Sequence, residues 1–330
     1  MAELPDGIRR LTFPLPMGPL HVHCYLLPGD GGWTLVDTGL GLPEAEARWE
    51  PVLRGLDGPV ARIVVTHFHP DHAGGGEDAR RLTGAQVLQG VRDYEQCERV
   101  WGREDWSERL ADYLLGHGLP EPVADELRHE SRIFGPFIRW AREPQRLAEG
   151  AEVDGWTVLE LPGHADGHIC LLRDGVLVAG DHLLGEIIPT IGLYPDSRPD
   201  PLGDYLASLE RTIELAPSLA LPGHGEPITD PVTRAREIVE HHRRRLDETA
   251  AALGPAPRTG YEVSVTLFGE ELDASGRRFA LAEALAHLER LVFEGRAARS
   301  GDRGRLAYTD LQSLLDDDIP PSPRAPESGA

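Results

Sequence analysis

His67, His69, Asp71 and His72 fall within six residues of the string Thr66-His67-Phe68-His69-Pro70-Asp71-His72, directly after the apolar run ARIVV. In an extended segment His67 and His69 project to one side, whereas Asp71 and His72, at the turn into the next element, project in other directions. One loop of this kind can serve two metal ions. A lone His-x-His is weak evidence, because a histidine in a turn is more often solvated or hydrogen-bonded; four ligand-type side chains in this order are stronger evidence. The remaining donors of a metal cage should stand at the ends of other strands, where a rigid sheet edge keeps them in register. Three do: VLELPGH, VLVAGD and LALPGH end at His164, Asp181 and His224. Gly163 and Gly223, in the twice-used string Leu-Pro-Gly-His, permit a sharp turn beside a crowded site. His168 and His182 adjoin ligand-type residues and are expected behind the cage rather than in it. His21, His23, His241 and His242 have no partner spacing and are expected at the surface or in the core.

Holding these residues calls for an α/β unit. Residues 8–37 alternate apolar and polar positions and break at GDGG (29–32), which predicts antiparallel strands joined by a hairpin. A helix opens at Pro43, a buried strand covers 61–67, a Gly-rich segment leads into a helix ending near 83, and AQVLQG is a strand. From 91 to 142 the pattern is helical, broken at 116–122, and strands resume at 156–161, 168–173 and 176–181. Helices at 201–215 and 231–253 flank a short strand at 218–222, so residues 1–254 read as one catalytic unit. The Pro- and Gly-rich stretch 253–260 reads as a linker to a small second domain, 255–330, with a helix at 277–295. From Asp316 the tail is acidic and Pro-rich and is expected to be disordered.

Composition narrows the function classes. The 330 residues hold 33 basic and 55 acidic side chains, a net charge of −22, with 40% hydrophobic content, which is globular arithmetic. No Lys or Asn occurs, so every cation is Arg, as codon bias in a GC-rich genome would produce. The acidic surplus repels polyanions and makes nucleic acid an unfavoured partner. No apolar run approaches the roughly 18 residues of a membrane span, and the start MAELPDGIRR has neither the basic end nor the apolar core of a signal peptide; a cytoplasmic protein is expected. Cys24, Cys97 and Cys170 are too few and too scattered for a thiolate site, so any metal must use His and carboxylate.

The ordered set of an early Asp, His-x-His-x-Asp-His, a lone His, a lone Asp and a final His resembles the metallo-β-lactamase superfamily over residues 8 to about 250. The resemblance implies an αββα sandwich with a two-metal site at one edge. It assigns His67, His69 and His164 to one ion, Asp71, His72 and His224 to the other, and Asp181 between them. Asp37 matches the early Asp that orients the ligand loop, and Thr66 and His168 join it behind the ligands. Two divalent ions carry +4; Asp71, Asp181 and a bridging hydroxide subtract 3, leaving about +1 where an oxyanion would form. Asp71 is the candidate catalytic group, accepting a proton or orienting the nucleophile. Zinc suits an imidazole-rich set, and carboxylate bridging also admits iron or manganese.

Departures from the family narrow the subclass. Asp181 stands where the best-known true β-lactamases carry Cys, His69 stands where diiron oxygen-reducing relatives carry Glu, and only 42 residues separate Asp181 from His224, too few for the inserted domain of many nucleic-acid-processing relatives. What remains resembles the glyoxalase II-like branch, although the glutathione-binding basic residues of glyoxalase II itself have no counterpart. The expected activity is metal-dependent hydrolysis of a small thioester or ester with an apolar acyl part, a class that includes acyl-CoA-like substrates and lactones.

The helical block 91–142 is expected as a lid that sets specificity. It holds seven of the 20 aromatics, Tyr94, Trp101, Trp106, Tyr113, Phe134, Phe137 and Trp140, to be divided between its own core and a substrate pocket. Arg128 with Arg132, and Arg139 with Arg142, share helix faces, either as a solvated face paired to Glu126 and Glu130 or as a phosphate clamp. Trp140, and in the segment 180–196 Ile188, Ile191 and Tyr194, are candidate substrate contacts. The C-terminal domain resembles the winged-helix appendage of β-lactamase-like proteins that include an animal endoribonuclease. Residues 281–305 carry five Arg against Glu283, Glu289, Glu294 and Asp302, a poor nucleic-acid surface, while Leu281, Leu285, Leu288 and Leu291 repeat at helical spacing. Packing against the catalytic unit or a homodimer contact is therefore expected. A metal-dependent endoribonuclease and a non-enzymatic winged-helix regulator remain as alternatives.

Overall fold

The computed structural model describes residues 2–16, 21–302 and 305–311; the acidic tail lies outside the described residues. One sheet contains β1 (Ala2–Glu3), β2 (Arg9–Pro14), β3 (His21–Gly29), β4 (Gly32–Val36), β5 (Val60–Val65), β6 (Gln86–Gly90) and β7 (Gln145–Leu147), in that spatial order. The first four are antiparallel, as the alternating pattern predicts, and β4 to β7 run parallel. Between them lie α1 (Ala45–Arg54), α2 (Pro70–Ala73) and α3 (Gly76–Thr83), then the helical block α4 (Val91–Val100), α5 (Trp106–Gly116) and α6 (Glu121–Phe134).

A second sheet, ordered β12-β11-β10-β9-β8, contains β8 (Glu152–Val153), β9 (Trp156–Glu160), β10 (Ile169–Arg173), β11 (Val176–Gly180) and β12 (Leu219–Pro222). Helices α7 (Pro201–Leu215) and α8 (Pro231–Ala251) surround β12. The short strands β7 and β8 have no signature in the sequence: two or three residues, mostly exposed, carry no period.

Both sheets are covered on both faces, which is why their strands read as near-continuous apolar runs. On β5, Ile63 and Val65 join Trp49 of α1 and Tyr94 of α4 in one core, while Val64 faces the opposing sheet. On β10, Ile169 and Leu171 face the first sheet and Cys170 faces α7 and α8. Trp156, Tyr25 and Leu171 lie in the layer between the sheets. This is the αββα layering, and the mixed α/β class follows from it.

The C-terminal region consists of β13 (Arg258–Thr259), α9 (Gly260–Phe268), α10 (Ala274–Phe293), β14 (Ala297–Asp302) and β15 (Arg305–Asp310), the strands ordered β13-β15-β14. Thr259 and Glu262 cap α9 reciprocally. Helix α10 begins three residues before its expected start because the Asp273 carboxylate accepts the Gly276 N–H at 2.7 Å. Leu281, Leu285, Leu288 and Leu291 are fully buried in the core that also contains Leu114 of α5, Tyr205 of α7 and Ile238 of α8. The region thus shares the hydrophobic core of the second sheet and its helices, and its leucine face is spent within the chain. Among the described residues no helix is long and apolar enough to cross a membrane.

Candidate metal centre

The parallel strands deliver their carboxyl ends to one edge, where Asp37 follows β4, His67 follows β5, Asp181 follows β11 and His224 follows β12. The Ile169 N–H donates to the Thr66 carbonyl at 2.9 Å and the His23 N–H to the Gly223 carbonyl at 2.7 Å, tying the two sheets together at that edge.

The seven expected donors converge. Donor atoms of His67, His69 and His164 lie within 4.8 Å of one another, as do those of Asp71, His72 and His224, and those of His67, His72 and Asp181. The third trio links the first two. Asp181 stands between them, Oδ1 3.4 Å from His72 Nε2, and Oδ2 3.2 Å from His224 Nε2 and 3.6 Å from His164 Nε2. Asp71 Oδ2 lies 3.4 Å from His224 Nε2, and His69 Nδ1 2.8 Å from His164 Nε2.

The outward ring nitrogens decide what the inward ones can do. His72 Nδ1 meets Asp37 Oδ2 at 2.8 Å, His164 Nδ1 meets the Thr190 carbonyl at 2.9 Å, and His224 Nδ1 meets the His21 carbonyl at 2.6 Å. His67 Nδ1 lies 3.0 Å from Thr66 Oγ1, which donates to Asp37 at 2.8 Å. Each acceptor holds a proton on Nδ1, which leaves Nε2 as the ring atom turned inward to meet a cation. His67 Nε2, His72 Nε2 and Asp181 Oδ1 are sealed from solvent and make no hydrogen bond. Buried polar atoms normally have partners. Orphaned donors of metal-ligand type, all aimed at one point, fit divalent cations.

Electrostatics agree. Burial, reinforced by His72 and His69, drives the His67 imidazole well below its ordinary range, and burial with His164 does the same to His69. Burial opposes charge on His72 and His224 as well, but Asp181 outweighs it: with Asp37 and Asp71 it raises His72 well above 6.5, and with Asp71 it lifts His224 to about 10. Burial likewise works against ionised Asp71, yet His72 and His224 hold it at about 2. The carboxylates demand positive charge here, and without cations protons on His72 and His224 supply it.

Space is also reserved. A Cβ on Gly223 would stand 2.3 Å from Asp181 Oδ1 and 2.6 Å from His72 Cε1, and one on Gly163, at φ +142°, 2.3 Å from Tyr205 Cβ. Asp37 itself adopts φ +62°. His168 Nε2 accepts the Asp181 N–H at 3.2 Å and its ring stacks on His67, whereas the His182 ring meets Thr212 away from the cage. Three positioning groups escaped the sequence reading. Asp93, fully buried, accepts the Phe68 N–H at 2.8 Å and braces the ligand loop. The carbonyls of His21 and Thr190 are the others, and a backbone acceptor leaves no residue-type signal.

The cage opens into a cavity of about 390 Å³. Its lining includes Phe68, Trp101, Trp106 and Leu110, then Leu184 and Ile187, and the expected contacts Ile188 and Tyr194. Two expected contacts are corrected. Ile191 is wholly buried, packed with the α7 and α10 side chains in the core behind the wall. Trp140 is buried beneath Arg142 against Tyr94, in the core under the first sheet, because the chain after α6 turns back to that sheet before β7. None of Arg128, Arg132, Arg139 and Arg142 lines the cavity. Arg128 pairs with Glu108, Asp112, Glu121 and Asp125, Arg132 with Glu108, and Arg139 with Asp78. These partners are not the expected Glu126 and Glu130. Instead Arg99, Arg109 and, from α10, Arg278 with Phe279 line the cavity.

A family model described as the metallo-beta-lactamase superfamily matches residues 17–224, and one described as the metallo-beta-lactamase-like, C-terminal domain matches 246–310. The chain is 29% identical over 307 residues to a Bacillus subtilis protein named probable metallo-hydrolase YqjP, covering 88% of this chain and 93% of that one. It is 26% identical over 281 residues to an atrochrysone carboxyl ACP thioesterase of Claviceps purpurea, covering 80% and 74%. The crystal structure of the metallo-beta-lactamase family protein TTHA1429 from Thermus thermophilus superimposes with a TM-score of 0.79 at 36% identity, covering 93% of this chain and 99% of that one. With more than half of the chain inside the first match, from before β3 to the last cage histidine, the protein belongs to the metallo-beta-lactamase superfamily.

Proposed function

We propose that the protein is a dinuclear metal-dependent hydrolase of small thioesters or esters with an apolar acyl part, in the manner of the glyoxalase II-like branch. The observation that carries this reading is the junction of two features: inward donors without partners, and an aromatic and aliphatic cavity that opens directly onto them. The Claviceps relative, named a thioesterase, supports the substrate class.

His67, His69 and His164 would hold one ion and Asp71, His72 and His224 the other, with Asp181 shared. Zinc is the expected ion, and iron or manganese also suits this donor set. Bound cations of this kind supply Lewis acidity and acidify water to a pKa near 7. The chain does the rest. Asp71, its side chain 24% exposed and reaching the cavity, stays ionised at neutral pH and orients an attacking water by accepting its hydrogen bond. Phe68, Trp101, Trp106 and Ile188 hold the acyl part and exclude bulk water from the carbonyl. Asp37, Thr66 and His168 fix the rings and the Asp181 backbone in place.

The test sets metal-loaded wild type and His69→Ala against acyl thioesters, esters, lactones and single-stranded RNA. Thioester or ester turnover lost in H69A is expected. RNA cleavage lost in H69A, with no turnover of the acyl substrates, would overturn the reading.

A further inference from the structure

The cavity is not built by the catalytic sandwich alone, because Arg278 and Phe279, near the start of α10, form part of its wall. Helix α10 is held rigidly there. Leu193, next to the lining residue Tyr194, donates its N–H to the Ala282 carbonyl at 3.0 Å, Ser275 Oγ donates to Glu130 Oε2 on α6 at 2.8 Å, and Arg290 pairs with Asp200 at 2.8 Å. A Cβ on Gly192 would stand 2.7 Å from the Tyr194 ring and 3.1 Å from Ala282 Cβ, so Gly192 is packed tightly against both the Tyr194 ring and the helix.

The three cavity arginines differ in what satisfies them. Arg109 is paired to Asp196 at 2.7 Å, and Arg99 lies 3.8 Å from Glu95. Arg278 has no ion pair or hydrogen bond among the described residues. Its Nε is sealed from solvent without a partner, and its guanidinium carbon sits 4.2 Å from the centre of the Phe279 ring. In a chain with 55 acidic and 33 basic side chains, a half-buried guanidinium that faces a substrate cavity and has no carboxylate is conspicuous. The Phe279 ring supports the guanidinium from one side, and a planar fork of donors matches a carboxylate or a phosphate.

We propose that Arg278 binds an anionic group of the substrate, so that the preferred thioester or ester carries a carboxylate or phosphate besides its apolar acyl body. This rests on the hydrolase reading above. It gives the C-terminal region a part in substrate selection: of the three cavity arginines, the one supplied by α10 is the one left without a carboxylate partner among the described residues. The acidic surplus of the chain is compatible with this, since one small anion enters against a local guanidinium, whereas a polyanion would meet the whole surface.

Three octanoyl-type probes separate the sources of the anion: the neutral N-acetylcysteamine thioester, the same thioester with a carboxylate at the far end of its acyl chain, and octanoyl-phosphopantetheine. The expected result is a lower KM for one anionic probe than for the neutral one. Arg278→Gln should lower that preference roughly ten- to a hundredfold, the range of a charged hydrogen bond, and Arg278→Lys should retain part of it. Which anionic probe responds names the source. An equal loss on anionic and neutral probes, or no loss, overturns the proposal.

A second readout is independent of turnover. Quenching of tryptophan fluorescence, with Trp101 and Trp106 in the cavity, is titrated with suberate and with a non-hydrolysable phosphopantetheine thioether. Weakening of either ligand at least tenfold in Arg278→Gln supports the subsite, and equal binding to both proteins overturns it. If wild type hydrolyses none of the three probes, the hydrolase reading fails while the fluorescence titration still decides the role of Arg278.

Discussion

Replacing Asp37 by Asn tests the positioning chemistry at a single atom. The Asp37 carboxylate accepts the Thr66 N–H and hydroxyl at 2.8 Å each and meets His72 Nδ1 at 2.8 Å. All three partners are donors. In Asn the amide oxygen has to stay with the Thr66 N–H, so the NH2 group faces His72 Nδ1 and the threonine hydroxyl. His72 can relieve that clash only by accepting at Nδ1, which puts a proton on Nε2, 3.4 Å from Asp181 Oδ1 and aimed into the cage. A protonated Nε2 cannot ligate. The backbone does not confuse the result, because Asn tolerates φ +62° as Asp does and has nearly the same volume. Loss of an orienting partner costs about 10- to 100-fold in metal affinity, or about 1.4–2.8 kcal/mol. The disrupted charged hydrogen bonds lower the stability of the metal-free fold by about 1.5–3 kcal/mol. Chelator-competition titration reads the affinity, and long-range nitrogen–proton correlation of the imidazoles reads the tautomer. Wild-type affinity for two ions in Asp37→Asn, with the His72 tautomer unchanged, would refute this reasoning.

Three further outcomes follow from the same geometry. Gly223→Ala places a methyl 2.3 Å from Asp181 Oδ1, which has to retreat by roughly an ångström when coordination tolerates about 0.2 Å, so this variant should lose metal at an overpacking cost of about 1–3 kcal/mol. Gly225→Ala, at φ +83° with nothing within 4 Å of the added carbon, costs about 1–2 kcal/mol of backbone strain and should keep its metal; chelator titration of both variants checks the contrast. His72 and His224 carry protons at pH 7 in the metal-free protein, so loading should release about two protons, read by calorimetry in buffers of different ionisation enthalpy; release of none would contradict it. Both folded values lie above the ordinary 6.5, so the stabilisation from these protons is complete below pH 6.5 and is lost as pH rises toward about 10. Metal-free protein should therefore melt progressively lower across that window while metal affinity rises, as thermal scans from pH 6 to 10 will show.

The site was legible in the sequence because its side chains stand where strands end, and a buried strand announces itself as an apolar run. ARIVV before His67 and VLVAG before Asp181 needed no structure to be placed. The orienting layer was legible only where it uses side chains: Asp37 has a type and a position, while the carbonyls of His21 and Thr190 have neither. Asp93 was missed because a carboxylate bonded to a backbone N–H looks like any acidic residue on a helix. The cavity was hardest to read, since its walls come from four separate stretches and apolar side chains do not say which way they face. Ile188 lines it while Ile191, three residues on, is in the core, and Trp101 lines it while Trp140 is under a sheet. The part played by α10 was hidden for the same reason, as nothing in residues 274–293 foretells that Ala282 and Arg290 meet a segment about 90 positions earlier.

The central claim is that seven side chains from four strand ends form a cage for two cations. Metal analysis of the full-length protein after loading and gel filtration, for wild type and His69→Ala side by side, tests it most directly. The account predicts about two equivalents per wild-type chain and fewer, with unchanged helical content, in the variant. Wild type that retains no divalent ion, or a variant that retains as many as wild type, would contradict it.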